Sequence, residues 1–107
     1  MQVYTTGGTV TLVLQVTNTT DAPLELNFPS GQSYDFVVRQ GDQEIWRWSD
    51  GQMFTQSLRT ERLAAGETLS YQESWPAPSS ARGELVAIGT LVATDHPIEQ
   101  AGRFSLP

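Results

Sequence analysis

Cysteine and lysine are both missing from this 107-residue chain, and histidine occurs once, at His96. Without cysteine there is no disulfide framework, no thiol nucleophile and no thiolate site for zinc or an iron–sulfur cluster. A single histidine rules out a multi-histidine metal site and leaves a Ser–His–Asp triad little to build on. Asp95 and His96 are neighbours ahead of Pro97, which reads as a surface turn, and no G-x-S-x-G nucleophile setting occurs. Carboxylate pairs such as Glu61/Glu67 and Asp42/Glu44 read as solvated charges in a chain with twelve acids, not as acid–base dyads. Gly7-Gly8 is followed by no helix and so makes no phosphate cradle. Asn18 with Asp21 is too sparse for calcium. The chain therefore reads as a non-enzyme with no cofactor, no metal and no small-molecule substrate.

Positive charge is also scarce. Arg39, Arg47, Arg59, Arg62, Arg82 and Arg103 stand against twelve acids, a net of −6. Such a surface repels phosphate backbones and anionic membranes, so neither nucleic acid nor a membrane is expected as partner. No apolar run approaches the ~18 residues of a membrane span. The opening Met1 to Gly8 shows no basic segment followed by an apolar one, and together with the lack of cysteine this points to the cytoplasm. Apolar residues make up 38% of the chain, enough for one core, and residues 1–107 read as a single domain.

What is present is period-two alternation. From Thr9 to Asn18, Val10, Leu12, Leu14 and Val16 share one face. Turn clusters at Asn18–Pro23, Pro29–Gly31, Gly41-Asp42, Asp50-Gly51, Ala64–Thr68, Pro76–Arg82 and Asp95–Pro97 separate further alternating runs. The reading is an all-β, immunoglobulin-like antiparallel β-sandwich of about eight strands with Greek-key connections. Leu69, Tyr71 and Trp75 are expected to point inward, beside Leu12 and Leu14. Gly89, inside a long strand from Glu84 to Thr94, reads as a bend or bulge.

One segment stands apart. If Asp50-Gly51 is a two-residue hairpin turn, Gln52 to Leu58 is a return strand, with Ser49 opposite Gln52, Trp48 opposite Met53 and Trp46 opposite Thr55. One face then carries Trp46, Trp48 and Met53, and the other carries Ile45, Phe54 and Leu58. A sandwich strand buries one face, so one apolar set is expected near the surface, either covered by a loop, the N-terminal strand or a bulge, or open as a partner site.

The same segment carries a resemblance. Phe28-Pro29-Ser30-Gly31-Gln32-Ser33-Tyr34-Asp35-Phe36, followed by Ile45-Trp46-Arg47-Trp48-Ser49-Asp50-Gly51 and Met53-Phe54, resembles the bacterial intracellular proteinase inhibitor (BsuPI) family. The strand Val10 to Thr19 and the phrase Leu63-Ala64-Ala65-Gly66-Glu67 with Tyr71 and Trp75 extend the similarity over roughly Thr9 to Leu106. It departs at Gly83-Glu84-Leu85, where a Pro-Gly-x-Tyr phrase is expected. The resemblance implies inhibition of an intracellular subtilisin-type serine protease. Combined with the hairpin reading, it nominates Tyr34, Trp46, Trp48, Asp50, Gly51, Met53 and Phe54 as a protein-binding site. The alternative from another class is a non-inhibitory β-sandwich interaction module, one part of a larger envelope protein.

Overall fold

The computed structural model describes residues 1–107 and contains strands only. They are β1 (Gln2–Thr6), β2 (Thr9–Thr17), β3 (Leu24–Phe28), β4 (Tyr34–Gln40), β5 (Gln43–Arg47), β6 (Arg59–Leu63), β7 (Thr68–Pro76), β8 (Gly83–Leu91) and β9 (Ile98–Leu106). All pairs are antiparallel, in three sheets ordered β1-β2-β7, β3-β6 and β5-β4-β8-β9. The all-β antiparallel reading holds.

The alternation of β2 does what its pattern dictates. Val10, Leu12, Leu14 and Val16 are buried and meet Phe36 and Val38 of β4 and Leu85, Ala87 and Leu91 of β8 in one apolar cluster. Trp75 joins it at 4% exposure, while Leu69 and Tyr71 are half-buried at its margin. Leu85, where the resemblance leads one to expect tyrosine, is buried in the same cluster.

Because β2 pairs with β7 and β3 with β6, the chain runs as one long two-stranded ribbon bent once between the two ladders. Asn18 makes the bend. Its side chain is buried and donates to the carbonyls of Ala22 and Leu63 at 2.8 and 3.0 Å, and its carbonyl oxygen accepts from the Thr20 amide and hydroxyl. Every polar atom of a buried amide is thus matched, as its burial requires.

Three expectations are corrected. Gln52 to Leu58 is not a strand; the ladder resumes only at Arg59. A strand not anticipated, β1, precedes β2 through Gly7-Gly8, whose φ values of 55° and 85° give the doubly left-handed turn that suits a hairpin. Its side chains are mostly exposed, so no apolar pattern announced it. Gly89 is no bulge. β8 keeps unbroken register there, and a Cβ would lie 3.2 Å from the Phe36 ring and 3.3 Å from Leu14, so close sheet packing is the reason for glycine. The bulge falls instead between Val38 and Arg39, on the β4–β5 pairing.

β8 also stops at Leu91, before the expected Thr94, because the chain then crosses to β3. Val92 donates to the Ser33 carbonyl and Thr94 to that of Asn27, at 3.0 and 2.8 Å. The Asp95 carboxylate closes the crossing by accepting from the backbone and side chain of Asn27, and the backbone bond holds it below the usual carboxylate range.

With its indole inside the shared cluster, Trp75→Ala is expected to lower unfolding free energy by about 3–5 kcal/mol in denaturant melts, as truncation of a buried aromatic does. A loss below about 1 kcal/mol would show that Trp75 does not support the core.

Candidate functional site

Strand alternation sends Phe36 and Val38 of β4 into the core and Asp35 and Val37 to the opposite face. Asp35 is nevertheless only 7% exposed, so its carboxylate must be matched by donors. Oδ1 accepts from the Phe36 and Ser49 amides at 2.9 and 3.0 Å, and Oδ2 from the Ser49 hydroxyl and Arg47 Nη1 at 2.6 and 3.1 Å. Arg47 reaches on to Glu44 with Nη2 and Nε, at 2.6 and 3.2 Å. The Arg47 hydrogen bond draws the Glu44 carboxyl below its ordinary range, and Glu44 in turn raises the guanidinium further above its own.

This arrangement explains the missing return strand. The Asp-Gly turn does form, with Gln52 donating to the Ser49 carbonyl at 3.0 Å. Propagating a hairpin from it would need the Ser49 amide for the reciprocal bond, and Asp35 has taken that amide. Gly51 has φ of 81° while Asp50 is not left-handed, the pattern of a turn that splays its flanks instead of pairing them.

Beyond the turn the chain is caught again. Gly31 donates to the Thr55 carbonyl at 2.9 Å, and a Cβ on Gly31 would sit 2.6 Å from the Thr55 hydroxyl, so this crossing needs glycine. Arg59 then ties the outgoing end: it lies 4.4 Å over the Phe28 ring, bonds Ser33 Oγ at 2.7 Å and pairs with Glu61. Residues 50–54 are therefore a short arch fixed at both feet.

Aromatic rings form the floor. Phe54 leans on Trp48 with centroids 5.8 Å apart, Trp48 stacks on Tyr34 at 4.7 Å, and Tyr34 stacks on Tyr71 at 4.5 Å. Trp46 stacks on Trp75 at 5.7 Å, joining the floor to the core. The Tyr34 hydroxyl donates to Glu73 across the gap between β4 and β7. Burial first, and then that bond, hold the Tyr34 phenol well above its ordinary range; burial also raises Tyr71.

The seven nominated residues are thus divided. Tyr34, Trp46, Trp48 and Phe54 are half-buried and packed on one another or on the core. Asp50, Gly51 and Met53 are exposed, and Met53 is 96% so. The expected opposition of Trp48 and Phe54 on two faces is corrected: they touch, because the arch folds back over Trp48. The facing of Trp46 and Thr55 is likewise replaced by the Gly31–Thr55 crossing. Sequence reasoning passed over Asp35, Ser49, Gly31 and Arg59, although the first three lie inside the two motif words.

The chain matches the intracellular proteinase inhibitor (BsuPI) family over residues 1–96 and belongs to that family. It is a family of inhibitors, not of enzymes, and its implied partner is a protease. No curated protein matches the chain. No helix is long and apolar enough to cross a membrane.

Two outcomes follow from this geometry. Asp35→Ala strands the Ser49 amide and the Arg47 guanidinium, so a loss of about 2–4 kcal/mol is expected in denaturant melts, with faster amide exchange at Ser49 and Gln52. An effect under about 0.5 kcal/mol would mean the carboxylate clamps nothing. At high pH, a folded phenol that ionises above its ordinary value near 10 contributes stability that is complete below pH 10 and lost as pH rises beyond it. The chain has neither lysine nor cysteine to obscure this range. Melts between about pH 9 and 11.5 should show Tyr34→Phe losing less stability than the parent; equal losses would contradict a buried Tyr34 hydroxyl.

Proposed function

We propose that this chain inhibits an intracellular subtilisin-type serine protease by seating the arch at residues 50–54 in the active-site cleft, with Met53 entering the main specificity pocket. The observation that carries the reading is the pairing of extremes in one loop: a side chain 96% exposed, on backbone tied at Ser49 and Thr55. A loop already held in place loses little conformational entropy on docking, so more of the contact energy appears as affinity. Methionine is unbranched and polarisable and adapts to an apolar pocket. A cleft that binds extended substrate backbone with a large apolar side chain is the receptor such a loop suits.

Phe54 takes a different part from Met53. Resting on Trp48, it sets the height of the arch, and Trp46, Trp48 and Tyr34 serve as the platform behind it. Asp50 and Gly51 lie at the rim, where the left-handed Gly51 shapes the backbone presented to the cleft. Residues 1–107 act as one inhibitory domain in this reading, and the family's description as intracellular supports an encounter in the cytoplasm. The two arginines nearest the arch, Arg47 and Arg59, are already engaged with carboxylates, and the net charge is −6. Binding should therefore rest on shape and apolar contact, with little dependence on salt.

The test is inhibition of purified bacterial subtilisin-type proteases by Met53→Asp and Phe54→Ser, each shown to be folded by thermal melt. Met53→Asp is expected to weaken inhibition by a factor of about 100 or more, the size of a central hot spot, and Phe54→Ser by about tenfold. Folded variants that both inhibit as well as the parent would place the contact elsewhere, for example on the connection from Pro76 to Arg82.

A further inference from the structure

The chain holds two sulfur atoms, both in methionines, and they sit in opposite surroundings. Met1 is partly buried and packs against the core beside Gly89, where its sulfur lies 3.2 Å from the position a Cβ would take. Met53 is 96% exposed at the top of the arch. With no cysteine to compete, it is the one sulfur in the chain that stands open to a dissolved oxidant.

We propose that Met53 is a reversible oxidation site that switches inhibition off; this rests on the reading of the arch as the protease contact. The oxidant is hydrogen peroxide. A lone pair on the thioether sulfur attacks one peroxide oxygen, the S–O bond forms as the O–O bond breaks, and the departing hydroxide takes up the transferred proton to leave as water. Sulfur is oxidised to the sulfoxide and the peroxide is reduced by the same two electrons. A dithiol reductant acting through a methionine sulfoxide reductase reverses the change, its thiols ending as a disulfide and the oxygen leaving as water.

The fold has no stake in this chemistry. Almost all of the Met53 side chain faces solvent, so a polar sulfoxide there displaces no packing. In an apolar protease pocket the same oxygen must give up water with no donor to replace it, which weakens binding selectively. The clamps at Asp35 and Gly31 sharpen the effect, because a held arch cannot shift a neighbouring side chain into the pocket instead. With no cysteine in the chain, methionine is the natural place for a reversible redox response.

The experiment treats the folded parent and Met53→Leu with hydrogen peroxide, removes the peroxide with catalase, locates added oxygen by mass spectrometry, and measures inhibition of a susceptible subtilisin-type protease. Met53 is expected to oxidise before Met1, the thermal melt to stay unchanged, and inhibition by the parent to fall about tenfold to a hundredfold. Reductase with dithiol should restore it, and Met53→Leu should inhibit alike before and after treatment. Faster oxidation of Met1, unaltered inhibition by the Met53 sulfoxide, or equal peroxide sensitivity of Met53→Leu would each overturn the proposal. Untreated Met53→Asp separates the two readings. Parental inhibition by that variant removes the arch reading and this inference together, whereas lost inhibition by it alongside full inhibition by the sulfoxide removes this inference alone.

Discussion

A carboxylate withdrawn from water on the outward side of a strand must find donors, and Asp35 finds them at the last residue of β5 and just beyond it. That requirement ties the two motif words together. The amide and hydroxyl of Ser49 and the guanidinium of Arg47 converge on one residue of β4, so β5 ends where they are spent. The chain that would have returned as a strand is released into an arch. Four charge-assisted bonds of 2.6 to 3.1 Å to a poorly hydrated acid are collectively stiff. The arch takes its starting direction from them.

The other foot and the floor complete the constraint by different means. At Gly31 the absence of a side chain lets two backbones cross within hydrogen-bond distance. Under the arch, the stacked run Phe54, Trp48, Tyr34 and Tyr71 bridges from loop to β7 and fills the open end of the core with rings. Such rings supply contact area with few rotatable bonds, so the floor adds stiffness as well as burial. The outcome separates support from display: the aromatics under the arch are engaged from below, while Asp50, Gly51 and Met53 are left outside. That division is what the proposed inhibitory contact requires.

How much of this was legible in the sequence depends on which residues carried a period. Val10, Leu12, Leu14 and Val16 announced β2 and its buried face because alternation is the direct signature of a half-buried strand. Gly41-Asp42 announced the β4–β5 hairpin, and Gly41 does adopt a left-handed φ of 59°. β1 was silent because its exposed residues carry no apolar alternation. Asp50-Gly51 misled for a subtler reason. The dipeptide does make a turn, yet whether a turn becomes a hairpin depends on the partner of the Ser49 amide, and that partner, Asp35, is fourteen residues away. Gly89 was ambiguous in the same way, since a bulge and a close sheet contact both call for glycine. Which of the nominated residues are packed and which are exposed depends on long-range contacts that no local pattern encodes.

The central claim is that Asp35 acts on a protease only by holding Met53 in place. The most direct measurement is a double-mutant cycle of Asp35→Asn and Met53→Ala, read as inhibition of one susceptible subtilisin-type protease at a temperature where all four proteins are folded. If the clamp works through the arch, the two losses are strongly non-additive: once Asp35 is replaced, removing the Met53 side chain costs far less than it does in the parent. Additive losses, or an Asp35→Asn variant that destabilises the fold yet leaves inhibition untouched, would contradict the account.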